Sequence, residues 1–383
     1  MAPPPRQSKI DRFWQRVTEG MALSELWMQF RRDATSSYRL YSKDVNAARG
    51  EDPSQRRGWS LVLRQYFWAI VEKLTPARRV LLLAALVLIF LPGGEWSHET
   101  PHGEVKVFAL DLHFYGGLLM FALLVLEVGD RVVMKRDLQI AKEIQEWLLP
   151  AQPPAVPGAE IAFLTRPANT VAGDYYDVFA RLRPSEAERS AGETYLLAVA
   201  DVAGKSVPAA MLMATFQASL KTLSATHGPL TMLVERMNRY ACSNSQNGRR
   251  FTTAFIAEYD PATRRLTYVN AGHNNPILRR ASGQIERLDV GGMPLGIMDG
   301  VPYASGEVLL ASGDLLAIFT DGLTEAEDLR QQEYGEMRLQ VMLHSGARLP
   351  ARTLLETIMV DVDRFVGGAP QHDDVTCLLM KVL

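Results

Sequence analysis

Residues 196–205 read Leu-Leu-Ala-Val-Ala-Asp-Val-Ala-Gly-Lys, an apolar run that ends in an aspartate with a glycine close behind. The apolar run, 196–201, predicts a buried strand. An aspartate at a strand end points its carboxylate out of the sheet, and a nearby glycine lets the backbone turn tightly. The same design recurs at 319–322 (Phe-Thr-Asp-Gly). The two stretches therefore predict two aspartates at the ends of two buried strands.

Two further segments also carry aspartates, 173–177 (Gly-Asp-Tyr-Tyr-Asp) and 372–376 (His-Asp-Asp-Val-Thr). Taken singly, an aspartate after a strand is typical of a turn or a helix cap. Taken together, carboxylates gathered in one place repel each other unless cations neutralise them. Oxygen ligands without Cys or His select Mg²⁺ or Mn²⁺, and two such ions can act on a phosphoryl group. The set predicts a metal-dependent phosphohydrolase in the C-terminal part of the chain.

The ordered set of motifs resembles the PPM family, the type 2C-like metal-dependent Ser/Thr protein phosphatases, in its bacterial SpoIIE/RsbU branch. The resemblance covers residues 140–383 and rests on these segments: 144–150, 172–177, 201–205, 209–211, 270–274, 294–296, 320–326 and 373–376. It implies an α+β fold, an αββα sandwich of two antiparallel sheets flanked by helices. The metals would lie at one end of the paired sheets.

By this resemblance, four aspartates would bind two Mn²⁺ or Mg²⁺ ions and act in catalysis through metal-bound water: Asp174, Asp201, Asp321 and Asp373. The backbone carbonyl of Val202 would be a further ligand. Asp374 is expected beside the ligands, where it orients Asp373 or a water. Asp177 is open between a similar role in orienting a ligand and a helix or turn cap.

Two positions depart from the usual motifs of the family. Ser206 stands where relatives have a glycine, and Asn275 stands where a proline is common. If position 206 adopts a positive φ, serine there costs about 1 kcal/mol. A third position, His273, has no visible partner for acid–base chemistry, and a structural histidine that holds a turn is the expectation.

Composition sets the outer limits of the chain. The 383 residues are 47% hydrophobic and 22% charged, which is ordinary for two or three folded units. Cys242 and Cys377 form no metal or disulfide pattern, so a reducing compartment is the default. Residues 1–79 hold 15 Lys and Arg against 8 Asp and Glu. This basic segment favours a membrane-proximal cytoplasmic region over nucleic-acid binding, with a solvated basic face as the remaining alternative.

Two apolar runs, 80–92 and 112–128, have basic residues outside them and glutamates between them. This charge pattern predicts a two-helix membrane hairpin over 77–129, with spans at about 78–94 and 110–128. Residues 1–76 would then be a basic N-terminal cytoplasmic region. Neither run reaches the roughly 20 residues of a comfortable span, and a buried helix pair is the alternative.

Residues 130–149 show helical spacing of apolar side chains that suits a coiled coil or a docking helix. Pro150 ends this pattern, which predicts a helical linker over 130–150 and a phosphatase domain over 151–383. By resemblance, the linker is regulatory. A homodimer through 130–149 is a further expectation.

The predicted function is hydrolysis of phosphoserine or phosphothreonine on a regulatory protein in bacterial signalling. By resemblance, the substrate would be an anti-sigma-factor antagonist, a small STAS-domain protein. The predicted location is the inner or cytoplasmic membrane, in contact with lipid, with the phosphatase domain in the cytoplasm. A soluble cytoplasmic phosphatase is the alternative location, and a scaffold that binds its partner without turnover is the alternative function. No nucleic-acid partner is predicted.

Overall fold

The computed structural model describes residues 67–68, 71, 73–99, 105–181, 192–226, 228–244 and 250–383. The chain divides into two compact units, Met1–Arg131 and Val132–Leu383. Most of the predicted basic region, 1–76, lies outside the described residues.

Within residues 73–99 and 105–131, the first unit includes helices α1 and α2 and a β-ribbon. Helix α1 is Pro76–Phe90, strands β1 and β2 are Gly94–Glu99 and Val105–Leu110, and helix α2 begins at Leu112 and runs to Leu148. The two strands pair antiparallel. A Cβ atom at Gly116 would lie 2.7 Å from Ile89 Cγ1 and 3.0 Å from the carbonyl oxygen of Ala85, so the two helices approach closely there. Arg78 Nη1 pairs with Asp130 Oδ2 at 2.6 Å across the same helices.

The membrane hairpin predicted over 77–129 is not supported. The first apolar run is a helix of 15 residues, about 22 Å long, whereas the hydrocarbon core of a bilayer is about 30 Å thick. This helix ends at Phe90 and the chain enters strand β1 at Gly94, inside the predicted span 78–94. Among the described residues, no helix is long and apolar enough to span a membrane. The predicted membrane location and lipid contact share this lack of support.

The boundary predicted between hairpin and linker falls inside one helix. Helix α2 is a single element of 37 residues, so the segments 110–128 and 130–150 are not separate helices. The predicted linker is helical as far as Leu148.

The second unit is built on two β-sheets. The first sheet contains β4 (Tyr175–Arg181), β5 (Thr194–Val202), β6 (Thr252–Asp260), β7 (Arg265–Ala271), β10 (Gly291–Gly292) and β11 (Gly306–Leu309). The second contains β3 (Ala159–Arg166), β8 (Ile277–Arg279), β9 (Ile285–Arg287), β12 (Leu315–Phe319) and β13 (Val375–Val382). Strand order is β10-β7-β6-β5-β4 in the first, with β11 also on β7, and β3-β13-β12-β8-β9 in the second. The pairings are antiparallel except that of β10 with β7.

Helices cover the outer faces of both sheets. They are α3 (Val207–Ser224), α4 (Leu230–Asn244), the short α5 (Asp321–Thr324), α6 (Glu336–Ser345) and α7 (Ala351–Val366). Strand β5 contributes to two of the three core layers, since its side chains alternate between two faces. Leu197 and Val199 pack between the sheets, whereas Leu196 and Ala198 pack under α3 and α4. A third cluster lies between the second sheet and α6 and α7, which completes the αββα sandwich that the resemblance implied.

Candidate metal centre

The four predicted ligands lie at the ends of strands in both sheets. Asp174 immediately precedes β4 and Asp201 is the last but one residue of β5. These two strands pair antiparallel, with Tyr175 opposite Ala200, so the start of one lies beside the end of the other. In the second sheet, Asp321 follows β12 and Asp373 precedes β13, and those strands also pair antiparallel. Each sheet thus contributes two neighbouring aspartates.

Thr320 joins the two sheets at this point. Its fully buried hydroxyl donates to Asp174 Oδ2 at 2.9 Å. The hydroxyl oxygen of Thr320 also accepts the backbone N–H of Thr376 at 3.0 Å. Thr320 was not singled out from the sequence, although a polar residue between a buried strand and Asp321 was a usable signal. The hydroxyl fixes one carboxylate oxygen of Asp174, because an unpartnered buried carboxylate is costly.

Asp374 holds the loop that leads to Asp174. Its Oδ1 accepts the N–H of Ala168 at 2.7 Å and its Oδ2 accepts the N–H of Gly173 at 2.6 Å. The sequence predicted that Asp374 orients Asp373 or a water. Its link to Asp373 is instead through the backbone, since the N–H of Asp374 donates to Asp373 Oδ1 at 3.0 Å. The carboxylate of Asp374 therefore positions Asp174 by way of Gly173.

Gln145, near the end of α2, clamps the same loop from the other side. Its Nε2 donates to the carbonyl of Ala172 at 2.8 Å, and its Oε1 accepts the N–H of Ala172 at 2.9 Å. The side chain is 6% exposed. The sequence marked 144–150 as a motif but did not identify Gln145 as a contact residue. The clamp thus joins α2 to Ala172, which lies two residues before Asp174 in the chain.

Asp177 makes a different set of contacts. Its Oδ2 lies 2.7 Å from Lys221 Nζ on α3 and accepts the hydroxyl of Tyr175 at 2.8 Å. Tyr175 belongs to the core layer between the first sheet and α3 and α4. These contacts tie β4 to α3, which is the arrangement of a structural ion pair.

His273 lies in the turn after β7, and its side chain faces strand β6. Its backbone N–H donates to Asn270 Oδ1 at 2.7 Å, and its Nδ1 lies 3.1 Å from Thr253 Oγ1. Burial lowers the pKa of the imidazole to about 4. The ring is therefore neutral at pH 7, and the contacts fit the predicted role of a histidine that holds a turn.

Burial and neighbouring carboxylates raise the pKa values of Asp174, Asp201 and Asp321. Burial, followed by the charges of Asp321 and Asp373, raises the pKa of Asp201 to about 7. Burial and then Asp201 raise the pKa of Asp174 well above its usual value. Burial and then Asp373 raise the pKa of Asp321. Such mutual repulsion shows that the four side chains share one electrostatic environment, and a cation would relieve it.

Lys205 brings a positive charge into this environment. Its Nζ lies 3.0 Å from Asp373 Oδ2 and donates to the carbonyl of His372 at 2.5 Å. The backbone on both sides is left-handed in φ, at 115° for Gly204 and 65° for Ser206. Ser206 therefore has the positive φ at which the sequence analysis expected strain.

The donor set fits a hard divalent cation. It consists of carboxylate oxygens, together with the carbonyl of Val202, which lies 3.3 Å from where a Cβ of Gly173 would be. In the present side-chain arrangement, and within the described residues, no three His, Cys, Asp or Glu side chains form a group that could hold a metal ion. Bringing the carboxylates close enough to surround an ion requires side-chain movement. Asp373, which is half exposed, has room to move.

Gly322 brings the loop after β12 against the loop before β13. A Cβ at this position would lie 2.1 Å from the carbonyl oxygen of Asp374, so a side chain cannot be accommodated after Asp321. A groove of about 410 Å³ begins here, with Gly322, Asp373, Arg166 and Glu325 among its lining residues. The groove gives the Asp373 side of the site access to a large ligand.

Comparison with known proteins places these features in a family context. The family model described as Stage II sporulation protein E (SpoIIE) matches residues 191–383. Protein IcfG of Synechocystis sp. is 27% identical over 280 residues, which cover 66% of this chain and 42% of IcfG. Phosphoserine phosphatase RsbU of Bacillus subtilis is 28% identical over 257 residues, 66% of this chain and 72% of RsbU. The chain thus spans about two fifths of the length of IcfG.

Solved structures share the fold. The SiaA-PP2C domain of Pseudomonas aeruginosa superimposes with a TM-score of 0.57 at 24% identity, over 66% of this chain and 99% of that domain. The PP2C phosphatase domain of SpoIIE from Bacillus subtilis, with a fragment of its regulatory domain, gives a TM-score of 0.50 at 16% identity. That match covers 58% of this chain and 63% of the solved one. At these identities the likeness establishes the architecture, a PP2C-like arrangement of sheets and helices.

Proposed function

Since the chain belongs to the SpoIIE family of PP2C-type phosphatase domains, we propose that it is a metal-dependent phosphatase of phosphoserine or phosphothreonine in proteins. One observation carries the proposal. Four aspartates, two from each sheet, share one electrostatic environment in which the pKa of Asp201 rises to about 7. Burying carboxylates together is costly in the absence of a cation, and this arrangement is common at functional sites.

The residues of the chain have separable tasks in this proposal. When bound to Asp174, Asp201, Asp321, Asp373 and the carbonyl of Val202, two Mg²⁺ or Mn²⁺ ions would supply Lewis-acid activation of water and of the phosphoryl group. Thr320 holds Asp174 in place through a hydrogen bond of 2.9 Å. The two backbone bonds of Asp374 fix the loop before Asp174 and keep its carboxylate at the strand edge.

For the substrate, we propose a phosphorylated STAS-domain antagonist of an anti-sigma factor. Two curated relatives in Bacillus subtilis support a phosphoprotein substrate, since both are named phosphoserine phosphatases, RsbU and RsbP. The groove of about 410 Å³ beside Asp373 supports a polypeptide ligand, because it extends from this one proposed metal ligand along the end of α7.

A direct assay tests the proposed activity. The full chain is incubated with p-nitrophenyl phosphate and with a phosphoserine peptide, with Mn²⁺ and with a chelator. We expect hydrolysis that depends on Mn²⁺ and falls more than about a hundredfold in the double variant Asp201→Asn, Asp321→Asn. The exposed Asp299→Asn is the matched control and retains activity. Activity that survives the double substitution contradicts the metal assignment. Binding of the phosphopeptide without turnover by the wild-type chain would favour the scaffold function.

Regulation through the C-terminal part of α2 belongs to the same proposal. The clamp between Gln145 and Ala172 supports it, because any displacement of the helix end acts on the loop that holds Asp174. The homodimer through 130–149 stays a prediction, which sedimentation velocity of the full chain tests.

A further inference from the structure

Among the described residues, Lys205 is a cation that touches a proposed metal ligand. It extends from the loop after β5 to the loop before β13, and its ammonium group contacts Asp373 Oδ2 at 3.0 Å and the carbonyl of His372 at 2.5 Å. The side chains of Lys205 and Asp373 are 53% and 49% exposed. An ion pair this exposed contributes little to the stability of the fold.

The backbone that carries Lys205 is strained on its C-terminal side. Ser206 has φ 65° and ψ −149°, a region that is essentially restricted to glycine, and such strain persists only where the surroundings impose it. The carbonyl of Ser206 accepts the N–H of Ala210 at 3.1 Å, which anchors the segment to the start of α3. The position of Lys205 beside Asp373 is thus set by the fold.

We propose that Lys205 is a positioning residue that acts through Asp373, as an internal cation that competes with the divalent ion for this carboxylate. The inference rests on the proposed metal centre. An ammonium group and a divalent ion repel each other when they share one carboxylate. Metal binding therefore requires Lys205 to release Asp373, and the lysine weakens the affinity of the site for the ion. The enzyme consequently needs a higher metal concentration than the carboxylates alone would set.

Calorimetric titration of the full chain with Mn²⁺, in the absence of substrate, tests this role. Lys205→Gln removes the charge, and we expect it to tighten Mn²⁺ binding by about tenfold. Lys205→Arg keeps the charge and is expected to keep the wild-type affinity. Lys221→Gln is the matched control, since Lys221 pairs with Asp177 at 2.7 Å on the same domain and is expected to leave the affinity unchanged. In an Asp373→Asn background, Lys205→Gln is expected to have no further effect.

Three results would overturn the proposal: an affinity in Lys205→Gln that equals the wild-type value, one that is weaker, or an equal gain in Lys205→Arg. Failure of the proposed function is recognised separately. If Mn²⁺ binds with the expected dependence on Lys205 but no phosphate ester is hydrolysed, the phosphatase proposal fails and the positioning role stands. If no variant binds Mn²⁺, both fail.

Discussion

The two halves of the proposed metal centre differ in how they are held. Asp174 is 2% exposed, receives a hydrogen bond from Thr320 and follows a loop that Asp374 and Gln145 fix on both sides. Asp373 lies on an exposed loop, and its carboxylate is half exposed beside Lys205. The first half is set by the fold before any ion binds. The second half can exchange one cation for another.

This difference separates two costs. On the Asp174 side, the free energy of folding bears the cost of a buried carboxylate, because water cannot solvate it. On the Asp373 side, the carboxylate remains solvated and paired with Lys205. The free-energy cost on this side is therefore that of replacing Lys205 when an ion binds. The following substitutions test the two sides in order of expected effect.

The largest effect is expected on the Asp174 side of the site, the fixed half, which the fold holds in place. Asp374→Asn leaves one of two backbone N–H groups, the part-buried one of Ala168 or the buried one of Gly173, without an acceptor. We expect the free energy of unfolding to fall by about 2–4 kcal/mol and activity to fall about 10–100-fold. Denaturant unfolding and the phosphatase assay measure the two. Asp363→Asn, which breaks an exposed pair with Arg166, is the control and should cost less than about 1 kcal/mol. Equal stability of Asp374→Asn and wild type would contradict the proposed support of Asp174.

A pH dependence of stability is expected from Asp201, which lies on β5, the strand that pairs with β4 next to Asp174. The folded-state pKa of Asp201 is raised to about 7, above the ordinary value near 4, so the unfolded chain loses its proton first. Stability of the metal-free protein is then greatest at low pH and decreases as pH rises from about 4 to about 7, by at most a few kcal/mol. Thermal unfolding across this range measures the slope. Asp201→Asn should flatten it, and an unchanged slope in that variant would assign the dependence to other groups.

A smaller effect is expected where α2 meets the fixed half. Gln145→Ala removes both hydrogen bonds to Ala172 and should lower the free energy of unfolding by about 2 kcal/mol. Activity should fall with it, because the loop before Asp174 loses one of its two supports. Glu146→Ala, on the exposed side of the same helix, is the control. Full activity in Gln145→Ala would separate the helix from control of the site.

The smallest effect is expected beside Lys205. Ser206→Gly relieves the strain of a positive φ and should raise the free energy of unfolding by about 1 kcal/mol. The matched control is Ser219→Gly in the middle of α3, where glycine should lower stability by about the same amount. Opposite signs in the two variants confirm the strain, whereas a loss in both would contradict it.

The sequence predicted those parts of the site that have a local signature. An aspartate directly after an apolar strand identified Asp201 and Asp321, and the apolar run in 196–201 predicted a buried strand. The αββα architecture came from the family resemblance. The positive φ considered for position 206 is present in the structure, and it could be anticipated because a glycine requirement is visible in a motif.

The contacts that support the site could not be predicted in this way. Gln145 and Ala172 are 27 residues apart, and Asp374 and Gly173 are 201 apart, so no spacing along the chain relates them. The membrane hairpin lacks support among the described residues for a related reason. Apolar content alone does not distinguish a spanning helix from one that packs on a neighbour, as α1 does against Gly116.

The contact of Gly322 with the carbonyl of Asp374 has a mechanical consequence. Because a Cβ there would lie 2.1 Å from that oxygen, the loops that carry Asp321 and Asp373 touch backbone to backbone, with no side chain between them to yield. Their main chains must then shift as one body. Freedom on this side of the site is therefore rotational, a turn of the Asp373 side chain about its own bonds, and the distance between the main chains of Asp321 and Asp373 stays fixed.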